Sequence, residues 1–356
     1  MRIGLIIYGA LQQQTGGYLY DRKLVEALQH DGHAVRLFSL PHGSYPAHLA
    51  DNLRLTFARR VAAADLDLLL QDELNHPSLF LLNRLLRRIC QCPIVSIVHH
   101  LRSSEPHPDL AQVLYRPVER QYLESVDGFI FNSHATKDAV YNLAPSVRSA
   151  SYTVAWPGRP KVYDERPAPT GSSSTDRVVL LFVGSIIERK GLRELAYALH
   201  DVPPDQWSLH VAGDDTVDPS YASTCKHMLR KTQGDVHWHG FVNDVELQRL
   251  YREADVLAVP SFHEGFGIVY LEAMGYGLPV IAARSGGASD FVRNEQNGFL
   301  VDPEAPAAIA RRIKQLLQPS TRTRMCKTAI ASYKTHPSWN DSMRKAAKSI
   351  YTYINT

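Results

Sequence analysis

At 356 residues with 44% hydrophobic side chains, the chain is long enough to bury two cores, and two domains of ordinary size are expected. A formal net charge of +3 without a long Lys/Arg block leaves no electrostatic footprint for nucleic acid. The cysteines Cys90, Cys92, Cys225 and Cys326 form neither a disulfide framework nor a C-x-x-C pair, which suits a reduced cytosol, and no apolar run approaches the roughly 20 residues a membrane helix needs.

In chain order, Met1 to Ala10 reads as a first strand rather than a signal peptide, because it lacks a small-residue cleavage pattern and runs on into a glycine loop and a helix. That loop, Tyr8 to Gly17, does not match G-x-G-x-x-G, and no acidic residue ends a second strand at the expected place, so a dinucleotide oxidoreductase is disfavoured. Gly16 and Gly17 precede a helix predicted to begin near Tyr18, with Leu24, Val25 and Leu28 on its apolar side. They serve either as a tight turn or as a place where backbone N–H groups approach a phosphate or a sugar. Further strands are predicted near residues 34–39, 66–70, 93–98, 127–132 and 151–155. Gln71, Asp72 and Glu73 follow the third strand. Leu79 to Ile89 reads as a helix on the sheet with Arg84, Arg87 and Arg88 in water, and the same basic face leaves contact with an anionic membrane open. Ile94 to His100 is a strand that ends in two histidines, His99 and His100.

The alternation stops at the Pro/Gly/Ser-rich stretch Asp164 to Asp176, a linker. It resumes with strands near 177–183, 206–212, 235–238, 255–259 and 279–283. Continuous apolar strands alternating with helices indicate parallel sheets covered on both faces. The expected fold is α/β, with two Rossmann-like doubly wound parallel-sheet domains facing across a cleft: residues 1–160, a linker at 161–176, and residues 177–337. Trp339 to Ile354 is amphipathic through Met343, Ala346, Ile350 and Tyr353.

Two motifs in the second half carry chemistry. Val178 to Gly191 is a buried strand, a glycine (Gly184), a short loop and then a helix, so Arg189 and Lys190 precede a helix N-terminus. Cations are disfavoured there by the helix macrodipole, which makes a bound anion the economical explanation. Glu264-Gly-Phe-Gly-Ile-Val-Tyr-Leu-Glu272 follows an apolar strand and opens a helix, at the carboxyl end where open α/β sheets bind ligands. The N–H groups of Phe266, Gly267 and Ile268 suit a diphosphate, while Glu264 and Glu272 suit neutral hydroxyls of a sugar or ribose. Asp214 and Asp215 lack the surroundings of a metal motif. Cys90 with Cys92 and His237 with His239 read as strand-face and surface residues rather than ligands.

Gly16-Gly17, Gly184 with the Arg-Lys-Gly191 ending, the Glu264/Glu272 pair, Ser285-Gly286-Gly287 and Asn297-Gly-Phe-Leu-Val-Asp302 occur together in one order. In this the chain resembles the retaining nucleotide-sugar glycosyltransferases of family four, with the two-Rossmann-domain GT-B fold, over nearly its whole length. The resemblance implies a first domain on the acceptor side, a second domain that binds the nucleotide sugar, and a C-terminal helix at about 338–356 that crosses back to the first. It places Glu272 on the donor ribose, Glu264 on the transferred sugar, and Lys190 and Arg189 on the diphosphate. Phe266, Gly267 and Ile268 would cradle sugar and phosphate, with Gly16, Gly17, Gly184, Gly286 and Gly287 completing the donor site. Ser185 stands where many members carry Arg, and Arg189 takes that duty. His99 falls where the family has a histidine near the sugar, whereas His100 replaces a usual Asp. His100, Arg102, Gln71 and Asp72 would line the acceptor pocket.

The implied reaction moves a hexose-type sugar from a nucleotide-diphosphate sugar to a hydroxyl of a glycan, lipid-linked or small-molecule acceptor. It implies no metal and no cofactor, and a cytoplasmic enzyme, at the inner membrane face if the acceptor is a lipid. A sugar-nucleotide epimerase or hydrolase of the same fold, and a noncatalytic nucleotide-sugar-binding module, are the competing readings. A glycan phosphorylase would need pyridoxal phosphate and a far longer chain.

Overall fold

The computed structural model describes residues 1–13, 15–105, 109–162 and 177–354. The linker predicted over Asp164 to Asp176 lies outside the described residues. The chain divides into two compact units, Met1–Gly158 with Pro337–Thr356, and Arg159–His336.

Unit 1 runs β1 (Arg2–Tyr8), α1 (Gly16–His30), β2 (Ala34–Leu40), α2 (Tyr45–Ala50), α3 (Leu55–Ala62), β3 (Leu68–Asp72), α4 (His76–Leu79), α5 (Leu82–Ile89), β4 (Ile94–Val98), α6 (Asp109–Leu123), β5 (Gly128–Phe131), α7 (His134–Leu143) and β6 (Ser151–Val154). Its six strands form one parallel sheet in the order β2-β1-β3-β4-β5-β6. Every residue of β3 and β4 is buried, the polar Gln71, Asp72 and Ser96 included, as expected in a sheet covered on both faces.

Unit 2 runs β7 (Val178–Val183), α8 (Leu192–Leu199), β8 (Trp207–Ala212), α9 (Pro219–Lys231), β9 (Asp235–Gly240), α10 (Asp244–Glu253), β10 (Val256–Val259), α11 (Ile268–Gly275), β11 (Val280–Ala283), β12 (Gly298–Val301), α12 (Pro306–Leu316) and α13 (Pro319–Thr335). Its parallel sheet has the order β12-β11-β10-β7-β8-β9. One core fills this unit, with Trp207 fully enclosed. The last helix, α14 (Trp339–Ile354), belongs to unit 1, where Met343, Ala346, Ala347, Ile350 and Tyr353 pack with Tyr20, Leu24 and Leu28 of α1. Tyr353 donates a hydrogen bond from its hydroxyl to the Phe129 carbonyl at 2.7 Å.

The sheet orders fix where ligands can sit. In unit 2 the chain leaves β7 toward β8 and β9 on one side, then crosses to β10, β11 and β12 on the other, so the order reverses between β7 and β10. In unit 1 the reversal falls between β1 and β3. The crevice beyond the carboxyl ends of strands at such a point is where doubly wound sheets bind ligands.

Two local features differ from expectation. The helix predicted from Leu79 to Ile89 is broken at Phe80 and Leu81. Buried Asn52 reaches in from the end of α2 and accepts bonds at its Oδ1 from the Leu81 and Leu82 N–H groups, at 2.9 and 3.0 Å. A cap from 29 residues away leaves no local signal. The twelfth strand, β12, was not foreseen: with four residues after the turn at Asn297, it is too short for periodicity to reveal.

Ile350→Ala should destabilise unit 1 by about 2–5 kcal/mol, the usual cost of truncating a fully buried Ile. Urea denaturation followed by fluorescence measures it, and an unchanged midpoint would contradict the packing of α14 on α1.

Candidate active site

At the switch point of unit 2, β7 ends at Val183 and the chain passes through Gly184 into a 3₁₀ turn, Glu188–Lys190. Gly191 follows with φ +74°, and a Cβ there would lie 2.1 Å from the Pro260 carbonyl oxygen, so only glycine lets this turn close on the end of β10. The aliphatic stem of Lys190 lies across Gly184, whose missing Cβ would sit 3.2 Å from Lys190 Cε. The turn delivers Lys190 Nζ to Glu264 Oε1 at 2.5 Å and Arg189 Nη1 to Glu264 Oε2 at 3.6 Å. Arg189 also donates to the His263 carbonyl at 2.9 Å. Ser261 Oγ donates to Glu264 Oε1 at 2.8 Å.

Glu264 is therefore a buried carboxylate held by two cations and a hydroxyl. Burial alone would raise its pKa, but Lys190 and Arg189 outweigh that and bring it to about 2. The carboxylate stays ionised at any physiological pH, and its two oxygens fix where both cations stand.

The backbone around Glu264 is equally constrained. Gly286 sits at φ +99°, and a Cβ on it would lie 1.9 Å from the Glu264 carbonyl oxygen, an oxygen that accepts the Gly287 N–H at 2.8 Å. Phe266 is buried against Phe291, with ring centroids 4.8 Å apart. This anchors the turn before Gly267, the N-cap of α11. The first N–H groups of α11, beginning at Ile268, have no partner within their own helix, and the macrodipole makes this end attractive to anions.

Glu272 projects from α11 and accepts a bond at Oε2 from the Tyr251 hydroxyl at 2.9 Å. Burial raises its pKa to about 7, against the lowering effect of that hydroxyl. Unlike Glu264, it has no cation opposite it to offset the burial. Lys190, Arg189, Glu264, Phe266, Gly267, Ile268, Gly286 and Gly287 thus gather at one sheet end, with Glu272 farther along α11. His263, whose ring nitrogen Nδ1 lies 3.3 Å from Ser285 Oγ, joins them without having been marked in the sequence.

At the switch point of unit 1, Thr15 caps α1 by accepting the Tyr18 N–H, so Gly16 and Gly17 are its first residues rather than a loop ahead of it. A Cβ on Gly17 would stand 3.1 Å from Cδ2 of the buried His99 ring. His99 Nε2 lies 3.0 Å from Asp21 Oδ1, and Tyr20 meets the ring edge-on at 5.2 Å. Asp21 is fully buried on the same helix face as Leu24, Val25 and Leu28. A carboxylate inside an apolar stripe is the signal that could have found it.

Two of the residues expected to line an acceptor pocket do not reach a surface. Gln71 is fully buried, and its amide is used up in reciprocal bonds with Asn83 at 2.8 and 3.1 Å. Asp72 is buried too, with Oδ1 accepting the Leu74 N–H at 3.0 Å. Both correct the expectation: strand alternation turns Gln71 toward the face covered by α5, and Asp72 caps the turn after β3. His100 and Arg102 are half-buried. His100 Nε2 is 3.3 Å from Glu105 Oε1, and the Arg102 guanidinium lies over the rings of Tyr45 and Tyr115 at 5.4 and 4.9 Å. Glu119 of α6 accepts the Arg102 and Ser103 N–H groups at 2.7 and 3.2 Å and so fixes this loop.

Among the described residues, two clusters have ligand-type atoms close enough to hold a metal ion, Asp21 with Asp72 and His99, and Glu73 with His76 and Glu119, all buried. Neither was marked in the sequence. Asp214 instead accepts from Thr216, and Asp215 pairs with Lys226 at 2.6 Å.

Comparison with known proteins meets this geometry from outside. Residues 166–332 match the family model described as Glycosyl transferases group 1. Over that stretch, just under half of its length, the chain is similar to the glycosyl transferases of group 1. An uncharacterised glycosyltransferase of Methanocaldococcus jannaschii is 34% identical over 40% of this chain and 36% of its own length. The D-inositol 3-phosphate glycosyltransferase of Corynebacterium glutamicum is 29% identical over 72% of this chain and 65% of its own. The chain thus spans between about a third and two thirds of these curated relatives. Among solved structures, sucrose-phosphate synthase from Thermosynechococcus elongatus matches with a TM-score of 0.82 at 22% identity, covering 99% of each chain. Anabaena HepE, solved with UDP-glucose, matches with a TM-score of 0.76 at 20% identity, covering 99% of this chain and 100% of that one. Both share the architecture of two six-stranded parallel sheets with flanking helices.

Gly286→Ala should lower the stability of unit 2 by about 2 kcal/mol, because the methyl group forces the backbone near Glu264 to move and strains a positive φ. A urea midpoint equal to that of the unchanged protein would contradict the close approach.

Proposed function

We propose that the chain transfers a hexose-type sugar from a nucleotide-diphosphate sugar to a hydroxyl acceptor with retention of anomeric configuration, as members of family four do. The observation that carries this reading is the buried Glu264 carboxylate holding Lys190 and Arg189 at the switch point of unit 2. Two cations and a helix N-terminus beside one strand end suit a diphosphate, and a carboxylate pinned among them suits a sugar hydroxyl.

In this account Lys190 and Arg189 hold the diphosphate and stabilise the charge that builds on it as the anomeric bond breaks, the main electrostatic contribution to the rate. The Phe266, Gly267 and Ile268 backbone cradles sugar and distal phosphate, with Gly184, Gly286 and Gly287 leaving room for their approach. Glu264 binds the transferred sugar and Glu272 the ribose hydroxyls. In unit 1, His99 stands by the sugar, Gly16 and Gly17 present the start of α1 to the donor, and His100 and Arg102 receive the acceptor. Attack on the same face as the departing diphosphate gives retention without a carboxylate nucleophile.

The donor base is uridine or guanosine, and the UDP-glucose bound to HepE favours uridine. The acceptor is a glycan, a lipid-linked molecule or a small molecule with a hydroxyl. The exposed Arg84, Arg87 and Arg88 on α5 suit a peripheral position at the cytoplasmic face of a membrane if the acceptor is a lipid. No helix among the described residues is long and apolar enough to cross a membrane. Protein cations replace a divalent metal at the diphosphate, and no organic cofactor takes part.

Lys190→Ala should lower turnover about 10²-fold or more while the protein stays folded, since the leaving group loses its cation. Mass-spectrometric assay with UDP-glucose and a panel of acceptors checks this. Donor breakdown without any acceptor would favour the epimerase or hydrolase reading, and binding without turnover would favour a noncatalytic module.

Transfer should persist in excess chelator. Complete loss, restored by magnesium or manganese, would overturn the metal-free account.

Because Glu272 has a pKa raised to about 7, it is neutral below that pH and ionised above it, and the ionised form, with both oxygens accepting and charged, holds ribose hydroxyls more strongly. UDP-glucose affinity should therefore strengthen several-fold from pH 6 to pH 8, and Glu272→Gln should flatten the dependence. Calorimetry at three pH values decides it, and a pH-independent affinity in the unchanged protein would count against Glu272 on the ribose.

A further inference from the structure

The end of unit 1 that carries His99 holds more charge than a ring beside a sugar needs. His99, Asp21 and Asp72 are all buried, and one ligand-type atom of each lies within 4.8 Å of those of the other two. His99 Nε2 and Asp21 Oδ1 are 3.0 Å apart, and since an ionised carboxylate only accepts, the nitrogen carries the proton. One oxygen of each acid, Asp21 Oδ2 and Asp72 Oδ2, is buried with no hydrogen-bond partner. Two ionised carboxylates side by side under an imidazole would leave an uncompensated buried charge, which is costly. Two arrangements can balance it: a metal ion, or a cationic imidazole over a pair of acids that shares a proton.

The geometry separates these. His99 Nε2 and Asp21 Oδ1 stand at a direct hydrogen-bond distance, which an imidazole N–H fills without an ion between them. We propose that Asp21 and Asp72 form a carboxyl pair sharing one proton, and that this pair keeps His99 as an imidazolium, a hydrogen-bond donor toward the transferring sugar that cannot act as a general base. Asp21 and Asp72 are then positioning residues for His99. This rests on the reading that His99 stands by the sugar, and it deepens that reading by naming the ring's charge state and excluding one of its roles.

The groups facing the ring agree. From α1 come Tyr20, edge-on, and Asp21; from the end of β3 and the turn after it come Asp72 and Glu73. From the α7 side the His99 carbonyl accepts from Asn132 Nδ2 at 2.8 Å, which fixes the backbone without adding charge. Burial would lower the His99 pKa, but Asp21, then Asp72 and Glu73, raise it to about 9. Asp72 is raised to about 7, by burial first and by Asp21 next, which keeps its proton far above the usual carboxylate range. A folded-state value raised for a histidine means that the cation is favoured below it, and is lost as pH climbs through about 9.

The test is NMR titration of the full chain, with nitrogen-labelled histidine and the His99 signal assigned by its loss in His99→Gln. His99 should be protonated at pH 7.5 and titrate near pH 9. In Asp21→Asn its midpoint should fall by at least one unit, and in Asp72→Asn by less. A neutral His99 ring at pH 7.5 in the unchanged protein overturns the proposal without any variant having to fold. Stoichiometric manganese that broadens the His99 signal also overturns it, because a cation would then occupy the carboxyl pair.

These readings need no substrate, so they stand apart from whether sugar transfer is the right function. Where transfer is measurable, kcat should hold level from pH 7 to 8.5 and fall above 9. Asp21→Asn should lose about 10-fold or more of kcat at pH 8, recover part of it at pH 6, and keep the donor KM nearly unchanged. A kcat, measured at saturating donor, that rises with pH between 6 and 7.5 would mean that His99 acts as a base, and would overturn the proposal.

Discussion

Unit 2 is organised around one buried carboxylate. Glu264 gives up its hydration to lie between Lys190, Arg189 and Ser261, and the cost is met because every partner is in place before any ligand arrives. The two cations come from the turn after β7 and the carboxylate from the loop after β10, so the pair ties together the two strand ends that flank the switch point. The glycines follow from this. Gly191 lets the first turn reach Pro260, and Gly286 lets a third loop close over the Glu264 carbonyl; at each, a side chain would occupy the space of another backbone segment.

Unit 1 solves a related problem with the charges reversed. There a histidine is the cation and two acids lie beneath it, on β3 and on the first turns of α1. Unit 2 fixes a carboxylate with surplus cations, and its pKa falls to about 2, whereas unit 1 fixes an imidazole with surplus acids, and its pKa rises to about 9. In both, burial alone would neutralise the central group, and neighbouring charge of opposite sign overcomes burial. Glu272 has no such partner, and its pKa moves the way burial pushes it.

The parts of this legible in sequence are those carried by local patterns. Unbroken apolar runs marked β7 and β10, the Arg189-Lys190 pair ahead of a helix marked a site for negative charge, and the spacing of Met343, Ala346, Ile350 and Tyr353 marked the face of α14 that is buried. What stayed hidden depends on contacts between distant residues. Asn52 breaks a helix that the Leu79 to Ile89 pattern made look continuous. Gln71 and Asp72 looked available because they end a strand, yet both are buried, Gln71 paired with Asn83 and Asp72 Oδ1 with the backbone at Leu74. Asp21 was readable as an acid on an apolar face, but its partner His99 lies 78 residues away, and no spacing rule joins the two.

The measurement that tests the account most directly is Glu264→Gln, followed by UDP-glucose calorimetry and by turnover. Electrostatics at long range says that removing a negative charge from an anion site should tighten donor binding. The account instead makes Glu264 the group that orders both cations and holds the sugar, so it predicts a folded protein with weaker UDP-glucose binding and turnover lower by about 10²-fold or more. Tighter binding with unchanged turnover would show that the cations find the diphosphate unaided, and would contradict the central place given to Glu264.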